Sequence, residues 1–311
     1  MTLQRALGRV LRDTGPAVLD ALGRLPGSDL TTLLLAAMRA RAARVRAPDV
    51  LRRYREDRFV SPAQVPHRQL RAAEDAVLSA LPAEFDVITL APVVPLGTHA
   101  ALGGVDQNNV LTTIRGTEVA ADPTSALAVE AAARRAGRRD GEVRPAGEVR
   151  LAALQRVLRA QRFDGPASFA HFTLLGLVSA GRDTGNLGFE RRHAVEHLRI
   201  AVDAVRAALS GRAAEVALTV LDPRFEAAAQ AVREALPGVV DDPHRQAGRR
   251  YYDGLCFKLI VADGEQRVDV GDGGFVGWTQ AMLADRKERL LISGIGVERL
   301  ALLAAQFSTI S

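Results

Sequence analysis

Hydrophobic positions in the first part of the chain recur at helical spacing. Apolar residues come at intervals of three and four, as on one face of an α-helix. The first such stripe consists of Leu3, Leu7, Val10 and Leu11. After the break at Pro26-Gly27, the stretch 30–46 continues in the same way and ends in several arginines. We therefore expect a helical N-terminal region over residues 1–67.

Beyond this region the pattern alternates between helical spacing and short apolar runs that are typical of strands. Helices are expected over 69–81, 125–135, 190–209, 225–236 and 297–303. Strands are expected over 85–90, 110–114, 150–161, 171–179, 216–221, 251–262, 267–270 and 290–293. Strands joined by turns and inserted between helices predict an α+β domain over residues 68–311, built around a largely antiparallel sheet.

Composition narrows the class of protein. The chain has 311 residues, 48% of them hydrophobic and 25% charged, which is usual for a globular protein. It has no apolar run of membrane-spanning length and no signal peptide, so we expect a cytoplasmic protein without membrane association. Cys256 is the single cysteine, which excludes an intramolecular disulfide and a four-cysteine zinc site. The histidine spacing predicts no metal site either.

The positive charge does not by itself indicate nucleic-acid binding. The formal net charge is +5, and nearly all cations are arginines because Lys258 and Lys287 are the only lysines. These arginines are spread along the chain instead of forming one basic block, so a nucleic-acid surface is not expected. A phosphate-bearing ligand such as ATP would explain a few of them equally well.

The segment ISGIGVERL, 292–300, carries the first recognisable motif. It predicts a strand, a turn with Gly294 and Gly296, and a helix that opens with Glu298 and Arg299. Glycines allow close approach of a ligand, and an arginine at a helix start can meet a phosphate or stack on a base. This segment resembles motif 3 of class II aminoacyl-tRNA synthetases. The resemblance implies that Arg299 lies against ATP and that Glu298 and both glycines line the same site.

Two segments upstream of this motif follow in the matching order. YYDGLCF, 251–257, resembles the Tyr-Tyr-x-Gly-x-x-Phe element of histidyl-tRNA synthetases and their regulatory paralogues. GDGGFVGW, 271–278, keeps the glycine pair of the next loop of that family, Gly-Gly-Arg-Tyr-Asp. The resemblance implies substrate-binding roles for Tyr251, Tyr252, Gly273 and Gly274.

The earlier half of the domain resembles the same family. Residues 69–95 are similar to motif 1, a helix and strand ending in proline, which implies a homodimer formed through this region. Residues 114–128 resemble the Leu-Arg-Pro-Glu-x-Thr strand and the helix after it, with one extra residue between Arg115 and Glu118. The resemblance implies that these two side chains bind the substrate.

Residues 156–177 resemble motif 2, in which two antiparallel strands flank a loop. Arg159 falls on the motif's arginine, which implies that it grips the α-phosphate of ATP and the carboxylate of the amino acid. A planar guanidinium suits this task because it meets two oxygens at once. Gln161 and His171 are expected to face the substrate.

The departures from the family pattern fall on the amino-acid pocket. Gln161 replaces the motif 2 acid, and the family's Gln-x-Gly-x-Glu becomes Leu-Leu-Gly-Leu-Val at 174–178. Ala247 replaces an arginine, and the Arg-Tyr-Asp of the glycine loop becomes 275–277, Phe-Val-Gly. Apolar replacements leave polar ligand groups unpaired at about 1–3 kcal/mol each. The sequence also ends about ten residues after motif 3, so we expect no anticodon-binding domain and no tRNA charging.

Three hypotheses about function follow. In the first, the chain is a histidyl-tRNA synthetase-like paralogue that does not charge tRNA. It would resemble the regulatory subunit of ATP phosphoribosyltransferase, sense a small-molecule ligand and bind a partner enzyme. In the second, it is an ATP-dependent enzyme that adenylates an amino acid or small acid, with ATP and Mg²⁺ held near Arg159, Glu298 and Arg299. In the third, it is an RNA-binding relic of a synthetase.

Overall fold

The computed structural model describes residues 3–137, 147–161, 169–246, 248–249, 251–264 and 266–310. The chain forms two compact units. Residues 1–61 and 112–117 make the smaller one, and residues 62–111 and 118–311 make the larger one. No helix among the described residues is both long and apolar enough to cross a membrane.

The smaller unit is helical. Its helices are α1 (Leu3–Thr14), α2 (Val18–Arg24), α3 (Gly27–Ala42) and α4 (Ala47–Glu56). Gly15, with φ of 88°, separates α1 from α2, and the extended backbone of Pro26 precedes α3. None of the residues of α2, α3 and α4 is buried. Among the described residues, the helices of this unit therefore enclose no hydrophobic core.

The larger unit contains the remaining helices and the strands. Its helices are α5 (His67–Ser79), α6 (Thr98–Gly103), α7 (Pro123–Ala136), α8 (Gly188–Ala208), α9 (Glu226–Ala235), α10 (Trp278–Leu283) and α11 (Val297–Ile310). Its strands are β1 (Asp86–Val87), β2 (Val93–Pro95), β3 (Thr117–Val119), β4 (Val149–Leu158), β5 (His171–Arg182), β6 (Glu215–Val220), β7 (Val240–Asp241), β8 (Asp253–Asp263), β9 (Gln266–Phe275) and β10 (Glu288–Gly296).

Eight strands form one sheet in the order β1-β4-β5-β10-β9-β8-β6-β7, and β2 pairs with β3 in a second, small sheet. The large sheet is antiparallel except at its two edges, where β1 runs parallel to β4 and β7 runs parallel to β6. At its centre β5 pairs with β10, so that Leu174 lies opposite Gly296. The α+β fold with a largely antiparallel sheet is confirmed.

The two faces of the sheet are covered differently. One face packs against α5, α8, α9 and α11 through the main core, which includes Leu198, Phe257 and Leu291. The other face packs against α7 and α10 through a smaller core around Leu127 and Ile292. Because side chains alternate along a strand, Gly294 and Gly296 belong to the same face as Ile292. This second face is only partly covered, and it holds the candidate site.

Three elements differ from the sequence expectation. The strand expected over 110–114 is reduced to a bridge at Thr112, where the Leu111 carbonyl accepts the Val119 amide and the Thr113 amide donates to the Thr117 carbonyl. The strand expected over 85–90 shrinks to β1, followed by one further backbone hydrogen bond from the Ile88 amide to the Ala152 carbonyl of β4. Strand β9 runs to Phe275, five residues beyond its expected end. Its glycines belong inside the sheet, because a Cβ at Gly273 would lie 2.5 Å from Phe257 Cζ.

Candidate functional site

A cavity of about 380 Å³ opens over β5, β9 and β10 on the α7 side of the sheet. A Cβ built at Gly294 would meet nothing within 4 Å, so the space in front of this glycine belongs to the cavity. Its apolar lining includes Phe169, Phe172 and Leu174. Its acidic lining consists of Asp122, Asp269, Asp272 and Glu298, and its basic lining consists of Arg159, Lys258 and Arg299.

Arg159 follows the end of β4 and is held from three sides. Its Nε donates to the Ala121 carbonyl at 2.9 Å, and its Nη2 lies 3.2 Å from the Asp122 carboxylate. The guanidinium carbon also lies 5.2 Å from the centre of the Phe172 ring. These contacts fix the arginine at the rim of the cavity, with its side chain about one-third exposed (32%).

Asp122 reaches the cavity because it caps α7. Its carboxylate accepts hydrogen bonds from the backbone amide and the hydroxyl of Thr124, at 2.8 and 2.6 Å. Pro123 occupies the first helical position, where its missing N–H costs nothing. The sequence Asp-Pro-Thr therefore starts the helix and directs one carboxylate toward Arg159.

Glu298, in the first turn of α11, is almost entirely buried. It accepts a hydrogen bond from the Thr173 amide and another from Arg156 Nη1 at 3.1 Å. Burial raises the pKa of Glu298, and the hydrogen bond from Thr173 and the charge of Arg156 oppose that shift. Arg156 in turn donates to His171 Nδ1 at 2.9 Å. His171 is thus held by Arg156, outside the cavity lining.

Asp272 lies on the floor of the cavity. Its side chain is 53% exposed, because it faces the cavity. Protein nevertheless surrounds the carboxyl group on the other sides, and this burial raises its pKa. The buried Arg245 guanidinium lies 3.4 Å away and opposes this shift, as does a hydrogen bond with Tyr252. Arg245 is also bonded to the Phe257 carbonyl at 2.9 Å and lies over the Tyr252 ring.

The tyrosine pair lies behind these groups. Burial raises the pKa of both phenols. The negative charge of Asp122 raises the pKa of Tyr251 further, and that of Asp272 raises the pKa of Tyr252 further. The two rings meet edge to face, with centroids 4.9 Å apart. Both tyrosines therefore remain protonated and can offer hydrogen bonds at this end of the site.

The two remaining cations also contact protein acceptors. Lys258 Nζ lies 2.7 Å from the Asp269 carboxylate on the neighbouring strand. Arg299 Nη1 donates to the carbonyl of the same Asp269. With the Arg159–Asp122 pair, each of the three cations of the lining has an acceptor from the protein.

No protein-family model matches the sequence, and no curated protein matches it. Solved structures do match. An ATP phosphoribosyltransferase regulatory subunit/histidyl-tRNA synthetase from Bacillus halodurans matches with a TM-score of 0.59 and 15% identity, over 79% of this chain and 82% of that chain. A histidine–tRNA ligase subunit from Alicyclobacillus acidocaldarius also has a TM-score of 0.59 and 15% identity, over 80% and 96% of the two chains.

Apo histidyl-tRNA synthetase from S. aureus matches with a TM-score of 0.56 and 13% identity, and the match spans 78% of this chain but 66% of the synthetase. The chain has a class II aminoacyl-tRNA synthetase-like core. The resemblance seen in the sequence is thereby confirmed at the level of the fold.

Within this synthetase-like core, the cavity brings together part of the expected site. It is lined by Arg159 and by four residues of the motif 3 segment, namely Gly294, Gly296, Glu298 and Arg299. Tyr252 borders it through Asp272. Gly273 and Gly274 instead allow strands to pack closely, because a Cβ at Gly274 would lie 2.6 Å from the Tyr252 ring.

The structure does not place Arg115 and Glu118 at the cavity. Arg115 is exposed and belongs to the smaller unit. Glu118 has 0% exposure and is surrounded by N–H donors from the protein. The acid-x-Thr spacing of the family's Leu-Arg-Pro-Glu-x-Thr motif recurs at Asp122 and Thr124, four residues after Glu118. Asp122 and Thr124 lie where the chain passes from β3 into α7. We therefore assign the cavity acid to Asp122.

Gln161, expected to face the substrate, and Ala247, a departure from the family pattern, are not among the described residues that line the cavity. Gln161 is exposed, at the end of a described range, and Ala247 lies outside the described residues. Sequence reasoning also missed Lys258, Asp269 and Asp272. The signal for Lys258 is one charged residue in an otherwise apolar run, and that for Asp269 and Asp272 is two acids among valines and glycines. Among the described residues, no group of three or more His, Cys, Asp or Glu side chains could hold a metal ion.

Proposed function

We propose that the chain is a histidyl-tRNA synthetase-like paralogue that does not charge tRNA and uses its cavity to sense a small molecule as a regulatory subunit. The observation that carries the proposal is the neutralised charge of the cavity. Among the described residues that line it, carboxylates outnumber cations, and Arg159, Lys258 and Arg299 each contact a protein acceptor. A polyphosphate would have to displace these acceptors and would lie near several carboxylates.

The shape and chemistry of the cavity favour a compact ligand with a cationic group, such as an amino acid. An ammonium group would be attracted by Asp122 and Asp272, and Arg159 would meet a ligand carboxylate. Leu174 offers no hydrogen bond where the synthetases carry a polar residue. One structural neighbour is described as an ATP phosphoribosyltransferase regulatory subunit/histidyl-tRNA synthetase, which agrees with a sensing role.

Pyrophosphate exchange with ATP, measured across the twenty amino acids, tests this proposal. We expect no exchange with any of them, while calorimetry finds an amino acid or related amine that binds. Asp272→Asn should weaken that binding by about tenfold, since a charge-assisted contact is lost. Exchange with any amino acid, abolished by Arg159→Ala and Arg299→Ala, would contradict the proposal. Arg206→Ala, in an exposed ion pair of α8, is the matched control.

A second function is favoured by one observation. Arg159, Arg299 and the Phe172 ring line the same cavity, and together they suit a nucleotide. In that case the chain is an ATP-dependent ligase that adenylates an amino acid or small acid. Mg²⁺ would be held by the phosphates and Glu298, because the described residues offer no complete metal site. The exchange assay above separates the two functions, since only the ligase yields a positive result.

We also propose a cytoplasmic homodimer formed through residues 69–95, to which a partner enzyme binds. Val87 on the edge strand β1 and Leu96, directly after β2, each have 51% exposure, and exposed large apolar side chains can mark an interface. Sedimentation should give a dimer for the wild-type chain and a monomer for Val87→Glu. Val240→Glu, also at an exposed edge of the sheet, should remain dimeric. A wild-type monomer would refute the homodimer.

A further inference from the structure

A buried carboxylate lies behind the cavity without lining it. Glu118, on β3, accepts hydrogen bonds from the backbone amides of Gly97 and His99 at 2.9 and 3.0 Å. It also accepts from the Gln107 side chain at 2.8 Å. Burial alone would raise its pKa, but these donors and His99 lower the pKa of Glu118 to about 2. The group is therefore a fixed negative charge at neutral pH.

His99 connects this carboxylate to the backbone beside the cavity. Its Nδ1 lies 2.6 Å from Glu118, and its Nε2 accepts the amide of Ala121 at 3.0 Å. A peptide N–H can only donate, so Nε2 must carry no proton, and a carboxylate can only accept, so Nδ1 must carry one. The contacts thus select one neutral tautomer of the His99 ring. The ring is 2% exposed, so water does not compete for either nitrogen.

The residue whose amide His99 holds also holds the cavity arginine through its carbonyl. The Ala121 carbonyl accepts the hydrogen bond from Arg159 Nε at 2.9 Å. One residue earlier, the Ala120 carbonyl accepts the amide of Leu158 at 3.0 Å, next to Arg159 in sequence. One residue later, Asp122 caps α7 and meets Arg159. A chain of hydrogen bonds, joined through the backbone of Ala121, therefore runs from Glu118 through His99 to Arg159.

We propose that His99, oriented by Glu118, is a positioning residue that sets the Arg159 guanidinium at the cavity. A binding site needs its groups held within about 0.5 Å of the productive geometry, which requires supporting hydrogen bonds behind them. Arg159 is long and partly exposed, so without the fixed Ala121 carbonyl it samples other rotamers. That the positioned arginine meets a ligand rests on the function proposed above, but the positioning itself does not.

The test is ¹⁵N NMR of the Arg159 Nε–H group in the full chain without ligand. In the wild-type protein we expect one sharp signal that is protected from exchange with water. In His99→Leu, which keeps the volume but removes both ring nitrogens, exchange should be at least about fivefold faster. His99→Gln, which restores one donor and one acceptor, should recover most of the protection. An Arg159 signal in His99→Leu identical to wild type would overturn the proposal.

Thr98→Val is the matched control for a general loss of stability. Thr98 is buried one residue away, and its hydroxyl donates to the Pro95 carbonyl at 2.6 Å, outside the chain of hydrogen bonds. Its Arg159 signal should stay protected, and an equal loss of protection there would also overturn the proposal. Should His99→Leu fail to fold, the ¹⁵N shifts of His99 in the wild-type protein decide. A proton on Nε2 at neutral pH is incompatible with the Ala121 contact.

Calorimetry with amino acids on the same variants separates the two proposals. Weaker binding in His99→Leu, with the Arg159 signal lost, supports both. Protection that depends on His99 in a protein that binds no amino acid supports the positioning role and contradicts the sensing function.

Discussion

The two units of the chain differ in how many of their hydrophobic side chains are buried. Most of the large hydrophobic side chains that are exposed among the described residues lie on helices of the smaller unit, including Leu33, Met38 and Val50. Its first 61 residues carry twelve arginines and six acidic residues, while the rest of the chain is close to neutral. The larger unit buries a continuous core on one face of the sheet. Most of the stability therefore resides in the larger unit, and the smaller one is marginal by itself.

The largest expected effect comes from a buried ion pair of the larger unit. Arg135 and Glu288 are 3% and 1% exposed and meet through two hydrogen bonds of 2.5 and 2.8 Å. Arg135→Met leaves an uncompensated buried charge, so we expect a loss of about 3–5 kcal/mol in the free energy of unfolding. Urea denaturation followed by the fluorescence of Trp278, the single tryptophan, measures this unit alone.

The neighbouring Arg134 provides the control for that prediction. Its pairs with Glu130 and Asp86 are partly exposed, so Arg134→Met should cost no more than about 1 kcal/mol. Equal losses for the two variants would mean that burial does not govern the contribution of these pairs.

Leu198 on α8 tests the packing of the main core. It is 0% exposed, so Leu198→Ala should lower the free energy of unfolding by about 3 kcal/mol through lost burial and the cavity left behind. The same urea experiment measures it. A loss below about 1 kcal/mol would indicate that the core rearranges to fill the space, and the contrast between the two units would weaken.

His197 predicts how the larger unit responds to acid. The ring lies between Ser179 and Ser293, at 2.9 Å from each hydroxyl. Burial, with the charge of His193 beside it, lowers the pKa of His197 to about 3. An unfolded histidine binds a proton near pH 6.5, whereas the folded His197 ring stays neutral until about pH 3. His197 therefore does not reduce the free energy of unfolding above pH 6.5, and it reduces that free energy progressively as the pH falls from 6.5 toward 3.

The loss due to His197 should reach at most about 1.4 kcal/mol per pH unit. Urea midpoints measured between pH 7 and 4.5 check it, because His197→Gln should flatten the dependence on pH in this window. An unchanged slope in the variant would assign the acid sensitivity to other groups.

The smallest effect is expected in the smaller unit. Leu33 on α3 is 48% exposed, so Leu33→Ala removes little burial and should change local stability by less than about 0.5 kcal/mol. Hydrogen exchange of the α3 amides measures it. A change as large as that of Leu198→Ala would show that this helix face is covered in solution, and the two units would then be alike.

The sequence could predict the elements with clear periodicity and no others. Strands β4 and β5 and helix α8 were expected within a few residues of their observed bounds, since apolar side chains dominate them. The sequence pattern predicts too short a strand β9, because its glycines are typical of loops. Only the tertiary contact with Phe257 explains why side chains are excluded there. Local patterns do not contain such contacts.

The candidate site was predictable where a motif kept its spacing and not where it shifted. Gly294, Gly296, Glu298 and Arg299 came from an undisturbed segment and share one cavity with Arg159. Glu118 was assigned to the ligand because an acid stands near the expected place. Its actual role became visible only through His99, which lies nineteen positions away in sequence.

The pairing of β5 with β10 has a consequence for how the protein is made. Residues 171–182 meet residues 288–296, so this contact closes a loop of more than a hundred residues. Such long-range pairing slows folding, because the entropy of the loop is lost before the contact stabilises anything. On the ribosome, β4 and β5 emerge well before their last neighbour. We therefore expect the nascent chain to depend on chaperones until β10 has been synthesised and the sheet is complete.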